Sequence, residues 1–200
     1  LNSNLYIYEK NFERFYKELG LKDSKKWTKI ADKRAKLMRK LMKNPADGLY
    51  YDYDFINGRL SSVYSSSVFN LMWAGLLTGS EAKAVMNNLN RLEMACGIVA
   101  CEPTDRNYTY QWDAPNAWAS FNVLAIMALD RYGYKDDAGR IAEKYVRSID
   151  SIYQSTGNLW EKFNGMTGSI DVNSEYEMPP FMGWTAGAYM YSSDYIRNNQ

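Results

Sequence analysis

The residues able to do chemistry gather in three places. Gln111-Trp112-Asp113-Ala114-Pro115-Asn116-Ala117-Trp118-Ala119 holds two indoles, a carboxylate and two carboxamides. Leu159-Trp160-Glu161-Lys162-Phe163 sets a carboxylate among aromatic side chains with a lysine beside it. Glu175-Tyr176 opens a segment that runs past Phe181 to Gly183-Trp184-Thr185-Ala186-Gly187. Indoles beside short hydrogen-bonding groups suit a sugar, because the flat ring covers C–H faces while carboxylates and amides take the hydroxyls. The alternative for the first stretch is that both tryptophans are core and that Asp113 and Asn116 cap a helix. For an arbitrary loop that arrangement is the commoner one, and residue types alone leave both open. The sequence has no histidine. Ser-His and Cys-His nucleophile pairs and His-based metal sites are therefore excluded within the chain, and proton transfers fall to carboxylates.

The elements that position these residues read as helices joined alternately by short turns and long, aromatic-rich loops. Leu5, Tyr8, Phe12, Phe15, Tyr16 and Leu19 fall on one helical stripe, expected as core, with Gly20 as its stop. A second helix is predicted from Asp23 or Ser24 to about Met42, its buried side being Trp27, Ile30, Ala31, Ala35, Met38 and Leu41. The short connection between the two predicts antiparallel packing. Leu49 to Phe55 ending at Asn57-Gly58 reads as a short hairpin. Helices follow through Val68–Leu77 and over about Glu81 to Met94, and Gly97 to Tyr110, marked by Pro103, Asp105 and Asn107, is a loop. Pro115 is placed to start the next helix, with Trp118, Phe121, Leu124, Ala125 and Ala128 at helical spacing, so that Gln111, Trp112 and Asp113 lie at its N-terminal mouth. A helix from Asp136 or Asp137 turns Ile141, Ala142, Tyr145, Val146, Ile149 and Ile152 inward, and a last one runs from near Trp184 to about Ile196. Six or seven helices so joined predict an all-α chain of antiparallel helix pairs, a single domain over 1–200, with a site where the long loops gather.

Composition narrows the partners. With 46% hydrophobic residues, 24% charged and a net charge of +1, the 200-residue chain is globular and gives no electrostatic case for nucleic acid or a membrane surface. No apolar run approaches the roughly 20 residues of a membrane span, and none has the form of a signal peptide. The cytoplasm is the first expectation for its compartment, with an extracellular or periplasmic location left open. Cys96 and Cys101 are expected to be reduced.

Taken in order, the three stretches resemble the trehalase family. Gln111-Trp112-Asp113-Ala114-Pro115-Asn116-Ala117-Trp118 is similar to its second signature, Leu159–Phe163 to the segment carrying its general base, and Glu175-Tyr176 followed by Gly183–Gly187 to its closing segment. Leu1-Asn2-Ser3 and Tyr51-Asp52-Tyr53-Asp54 resemble weaker landmarks. The resemblance implies the later helix pairs of an (α/α)6 toroid, of the six-hairpin glycosidase type. It implies an inverting hydrolysis of α,α-trehalose to glucose with no cofactor or metal. Glu161 takes the position of the general base. Gln111, Trp112, Asp113, Asn116, Glu175, Phe181 and Trp184 take substrate-binding positions. Nothing in the chain matches the family's first signature or its general acid, so the earlier part of a barrel is expected to be missing. The expected partners are a disaccharide and either that missing half or a second copy of the chain. The run Ser169-Ile170-Asp171-Val172-Asn173-Ser174 departs from the family's glycine-rich approach to Glu175. That departure keeps another α-glucoside or α-mannoside open as substrate, and the missing acid keeps open a non-catalytic sugar-binding or scaffold role.

Overall fold

A computed structural model describes residues 1–105, 110–172 and 175–199. Asn107 of the expected loop, and Asn173 and Ser174 of the approach to Glu175, lie outside the described residues. Seven α-helices are present among the described residues: α1 (Asn2–Glu18), α2 (Ser24–Met42), α3 (Val68–Trp73), α4 (Gly79–Met86), α5 (Ala119–Arg131), α6 (Lys135–Thr156) and α7 (Gly183–Asn199). Two antiparallel ribbons accompany them, β1 (Tyr53–Asp54) with β2 (Arg59–Leu60), and β3 (Asn116–Trp118) with β4 (Lys162–Asn164). Among the described residues no helix is long and apolar enough to cross a membrane.

α1 and α2 pair as their short connection predicts. Asn2 and Glu9 meet Arg34, while Phe12 and Tyr16 meet Trp27, so α1 runs antiparallel to α2. α5 packs against α3, α6 and α7, and α6 packs against α7. The main core is built from Phe69, Met72, Leu92, Ile126, Leu129 and Ile141, all fully buried. A second core under the β3–β4 ribbon joins Ala117, Tyr145, Ile149 and Phe163. α6 ends at Gly157, whose φ of 69° is the left-handed cap that a side chain disfavours. α7 presents Thr185, Ala188, Ser192 and Tyr195 to its neighbours. Small residues at this spacing let it lie close to α5 and α6.

Three sequence expectations are corrected. The face of α1 that is buried carries Ser3, Glu9 and Glu13, while Tyr8, Phe12, Phe15 and Leu19 are exposed. The reason is that α1 packs chiefly on α2, where Arg34 forks onto Glu9 at 2.7–3.0 Å, while Lys10 and Lys17 hold Glu13 at 2.5 and 2.6 Å. Burial of these carboxylates is tolerated because each is paired with a cation. α4 stops at Met86 rather than Met94; a separate 3-10 turn follows at Leu89–Arg91, and the chain reverses where Glu93 pairs with Ile98 and the Met94 N–H bonds the Gly97 carbonyl. Finally, no helix begins at Pro115. Residues 116–118 are extended, and the helix starts at Ala119.

Candidate active site

The extended stretch Asn116–Trp118 builds the site. The chain at β3 is flanked on one side by Val99, bridged to Ala117, and on the other by β4. The register sets Asn116 opposite Asn164, Ala117 opposite Phe163 and Trp118 opposite Lys162. Side chains alternate along a strand and paired residues share a face. Ala117 and Phe163 therefore point into the second core, and Trp118 and Lys162 emerge together on the other face. Two motifs far apart in sequence are thus set side by side by three pairs of residues. Asn122, fully buried on α5, fastens the ribbon from below by accepting the Ile98 N–H and donating to the Trp118 carbonyl, each at 2.9 Å.

Trp118 is the centre of an aromatic group. Trp112 stacks on it with ring centroids 3.9 Å apart and planes 8° from parallel. Trp184, at the start of α7, meets it edge-on at 5.6 Å. The Lys162 ammonium lies 4.7 Å from its ring centroid and 4.5 Å from that of Tyr176. Lys162 is 1% exposed, and a buried ammonium of this kind needs both ring faces and a counter-charge. Glu161 supplies the charge, its Oε2 lying 2.9 Å from Lys162 Nζ. The Tyr176 hydroxyl donates to the same oxygen. Its own proton is held strongly, the hydroxyl being pushed up to about 12 by burial and then by the hydrogen bond and charge of Glu161. The backbone around Glu161 is fixed by α7. Trp184 Nε1 donates to the Glu161 carbonyl at 3.2 Å, and Thr185 Oγ1 to the Trp160 carbonyl at 2.7 Å.

The substrate-binding positions expected from sequence are placed unequally. Trp112 is 47% exposed beside the buried Trp118, as a sugar-facing ring would be. Asp113 and Asn116 are buried. Asp113 Oδ1 accepts the Ala114 N–H and the Cys101 thiol, and Asn116 Nδ2 donates to the Gln111 carbonyl, which also takes the Trp118 indole N–H at 3.0 Å. Neither caps a helix; α5 has Trp118 at its N-cap and no side-chain cap bond. Gln111, Asp113 and Asn116 thus hold the loop that carries Trp112. Glu175 is exposed, and it is Tyr176, one residue on, that reaches Glu161. Phe181 is 77% exposed with φ at 59°, a left-handed conformation costly for a bulky side chain, and it projects from the loop before α7. Glu161, Lys162, Tyr176, Trp112, Trp118 and Trp184 form one contiguous group. Tyr176 was missed from sequence, although it lies within the Glu175-Tyr176 pair that carried the resemblance. Both cysteines are free thiols. Among the described residues no group of three or more His, Cys, Asp or Glu side chains is arranged to hold a metal ion.

A carboxylate fixed near a group of indoles is what the hydrolysis of a sugar linkage needs from one side. The family model described as Trehalase matches residues 1–196. A probable trehalase of Eremothecium gossypii is 33% identical over 196 residues, covering 88% of this chain and 27% of that protein. The structure of neutral trehalase Nth1 from Saccharomyces cerevisiae superposes with a TM-score of 0.87 at 27% identity, covering 98% of this chain and 37% of that one. A GH63 mannosylglycerate hydrolase from Thermus thermophilus matches with a TM-score of 0.74 at 15% identity, covering 96% and 43%, and shares the fold. The architecture is that of later helix pairs of an (α/α)6 toroid. The chain spans between 27% and 32% of the length of four curated relatives that it matches.

Proposed function

The chain belongs to the trehalase family, and from that premise we propose that it carries the base half of a site hydrolysing α,α-trehalose to glucose with inversion. Glu161 is the general base, taking a proton from the water that attacks the anomeric carbon. In an inverting hydrolysis a second, protonated carboxyl releases the leaving oxygen from roughly 6.5–9.5 Å away. That acid belongs to the earlier part of the barrel. The observation that carries the reading is the β3–β4 register, which sets Lys162, the ion-pair partner of the Glu161 carboxylate, beside Trp118 in the Trp112–Trp118–Trp184 group. Trp112 and Trp184 form the wall of the adjoining glucose subsite, Glu175 reaches its hydroxyls from the loop, and Phe181 closes its rim. The α1–α2 face is covered either by the earlier helix pairs, which complete the site, or by a second copy of the chain, which does not. No metal or cofactor enters the reaction.

α-Glucosyl fluoride separates the base from the missing acid, because fluoride leaves without a proton. Water attacks the anomeric carbon, the C–F bond breaks with its electron pair going to fluoride, and Glu161 takes the proton. The expected result is fluoride release by the chain that falls about 10²–10⁴-fold in Glu161→Gln, with β-glucose as first product by NMR. Trehalose should be cleaved only when the acid-bearing part is supplied. Fluoride release that is absent, or equal in the variant, would overturn the assignment.

A further inference from the structure

Resting on that reading of Glu161, we propose that Tyr176 and Lys162 are positioning residues. They seize one oxygen of the base so that the other is presented to the attacking water.

A glutamate carboxylate turns about a broad, two-fold torsion, and its two oxygens exchange unless something distinguishes them. Here Oε2 has two donors, the Lys162 ammonium at 2.9 Å and the Tyr176 hydroxyl. Among the described residues no group bonds Oε1. Two donors on one oxygen stop the rotation and direct the lone pairs of the other away from them. The donors are themselves held. Lys162 cannot leave, since its side chain is fully buried between the Trp118 and Tyr176 rings and its neighbour Phe163 is locked in the core. Swinging the ammonium away would strand a buried carboxylate and a buried cation together. The two donors also lie 3.5 Å from each other, so the carboxylate, the amine and the phenol form a closed triangle. Tyr176 comes from the loop between β4 and α7, which is pinned to the base segment where Pro180 bridges Trp160 and where the Met182 N–H bonds the Leu159 carbonyl. With its proton held up to about 12, the phenol remains a donor through neutral and mildly alkaline pH. The consequence is a division of labour within the Glu175-Tyr176 pair. Tyr176 sets the angle of the base, and the exposed Glu175 remains for sugar hydroxyls.

Two measurements on the full chain test this. The first follows tyrosines labelled at Cζ by NMR through an alkaline titration, with the Tyr176 signal identified by its loss in Tyr176→Phe. Tyr176 should titrate near 12 and fall back toward 10 in Glu161→Gln, because the carboxylate is one of the groups holding its proton. Equal titration in both would overturn the clamp. The second measures α-glucosyl fluoride hydrolysis in Tyr176→Phe and Lys162→Met. Removing a positioning group should lower kcat by about 10–100-fold while KM stays nearly constant. Tyr176→Phe keeps a half-exposed ring in place, so it remains informative if Lys162→Met fails to fold. An unchanged kcat in Tyr176→Phe, beside a Glu161→Gln variant that is inactive, would overturn the positioning role alone. An inactive wild-type chain would overturn the base assignment and the catalytic part of this proposal with it, and the NMR titration would still report the contact.

Discussion

Trp112 lies flat on Trp118, with ring centroids 3.9 Å apart, while remaining 47% exposed. One of its faces therefore packs and the other meets solvent. Such a ring contributes to the fold and to a ligand through different faces, and the two contributions separate experimentally. Trp112→Ala should cost about 1 kcal/mol of stability, the order of one stacked aromatic pair. It should also weaken glucose or trehalose binding by about tenfold, the order expected for losing one such stacking surface. Calorimetry on the variant and wild type checks both. Unchanged sugar affinity would make Trp112 only a cover for Trp118.

The β3–β4 ribbon leaves no room at Gly165, and that crowding gives a second expectation. A Cβ there would lie 2.7 Å from Val99 Cγ1, 3.2 Å from Ala117 Cβ and 3.4 Å from the Pro115 carbonyl oxygen. The Gly165 N–H already bonds that carbonyl at 2.8 Å. Gly165→Ala must push β4 from β3, at a cost of about 1–3 kcal/mol for overpacking. Because the same ribbon sets Lys162, the ion-pair partner of Glu161, beside Trp118, fluoride release should fall along with the urea midpoint. A variant as stable and as active as wild type would show that the ribbon is looser than its geometry.

How much of this was legible in the sequence depended on how local each signal was. The helices α2, α5, α6 and α7 and the Asn57-Gly58 hairpin follow from apolar period and turn residues within the segments themselves. β3 does not, because its three residues are extended only through partners at Val99 and at Lys162–Asn164, far away in sequence. The buried side of α1 was misread for a related reason. Glu9 and Glu13 look solvent-facing until Arg34 on α2 and the flanking lysines are seen to pair with them. The three site motifs were visible, and so was the lysine beside Glu161. The choice of Tyr176 over Glu175 as the contact was not, since it is set by the path of a loop with no periodicity of its own.

Acid should loosen the attachment of α2 to α4 before it disturbs the core. Burial alone would raise the Glu81 carboxyl. The Thr78 backbone N–H, Lys43 and the Tyr50 hydroxyl outweigh it and hold the group at about 2, against an ordinary value of 4.5. A carboxyl depressed in the folded state stabilises fully above about pH 4.5, and that contribution is lost as pH falls toward 2. For a group this buried it amounts to about 3 kcal/mol, one pKa unit being worth about 1.4. Glu13 on α1 is held low by Lys10 and Lys17 in the same way, so wild type alone cannot isolate Glu81. The difference between wild type and Glu81→Gln in urea unfolding should therefore be large at neutral pH and shrink steadily below pH 4.5. A difference independent of pH would mean that Glu81 acts by packing alone.

The apolar surface of the first two helices and the hairpin leads to the last expectation. Phe12 and Phe15 on α1, Leu19 just after it, and Leu37 on α2 are exposed, as is Leu41, which its helical spacing puts on the buried side; at the β1–β2 turn Phe55 and Ile56 are 83% and 80% exposed. A groove of about 710 Å³ runs between α2 and the hairpin; Ile30, Leu37, Met38, Leu41, Met42 and Phe55 give its apolar wall, with Lys33, Arg34 and Asp52 at its polar side. None of its lining residues belongs to the Glu161 group, so a sugar site does not account for it. Contiguous apolar surface of this kind is covered in a working protein or drives association. In light scattering, the isolated chain should form dimers or larger species as concentration rises from micromolar to millimolar. Leu37→Glu with Phe55→Ser should return it to a monomer without lowering α-glucosyl fluoride hydrolysis, because the groove and the base lie on different elements. Adding the acid-bearing helix pairs should compete with self-association and restore trehalose cleavage. A wild-type chain that stays monomeric throughout that range would count against any partner on this face.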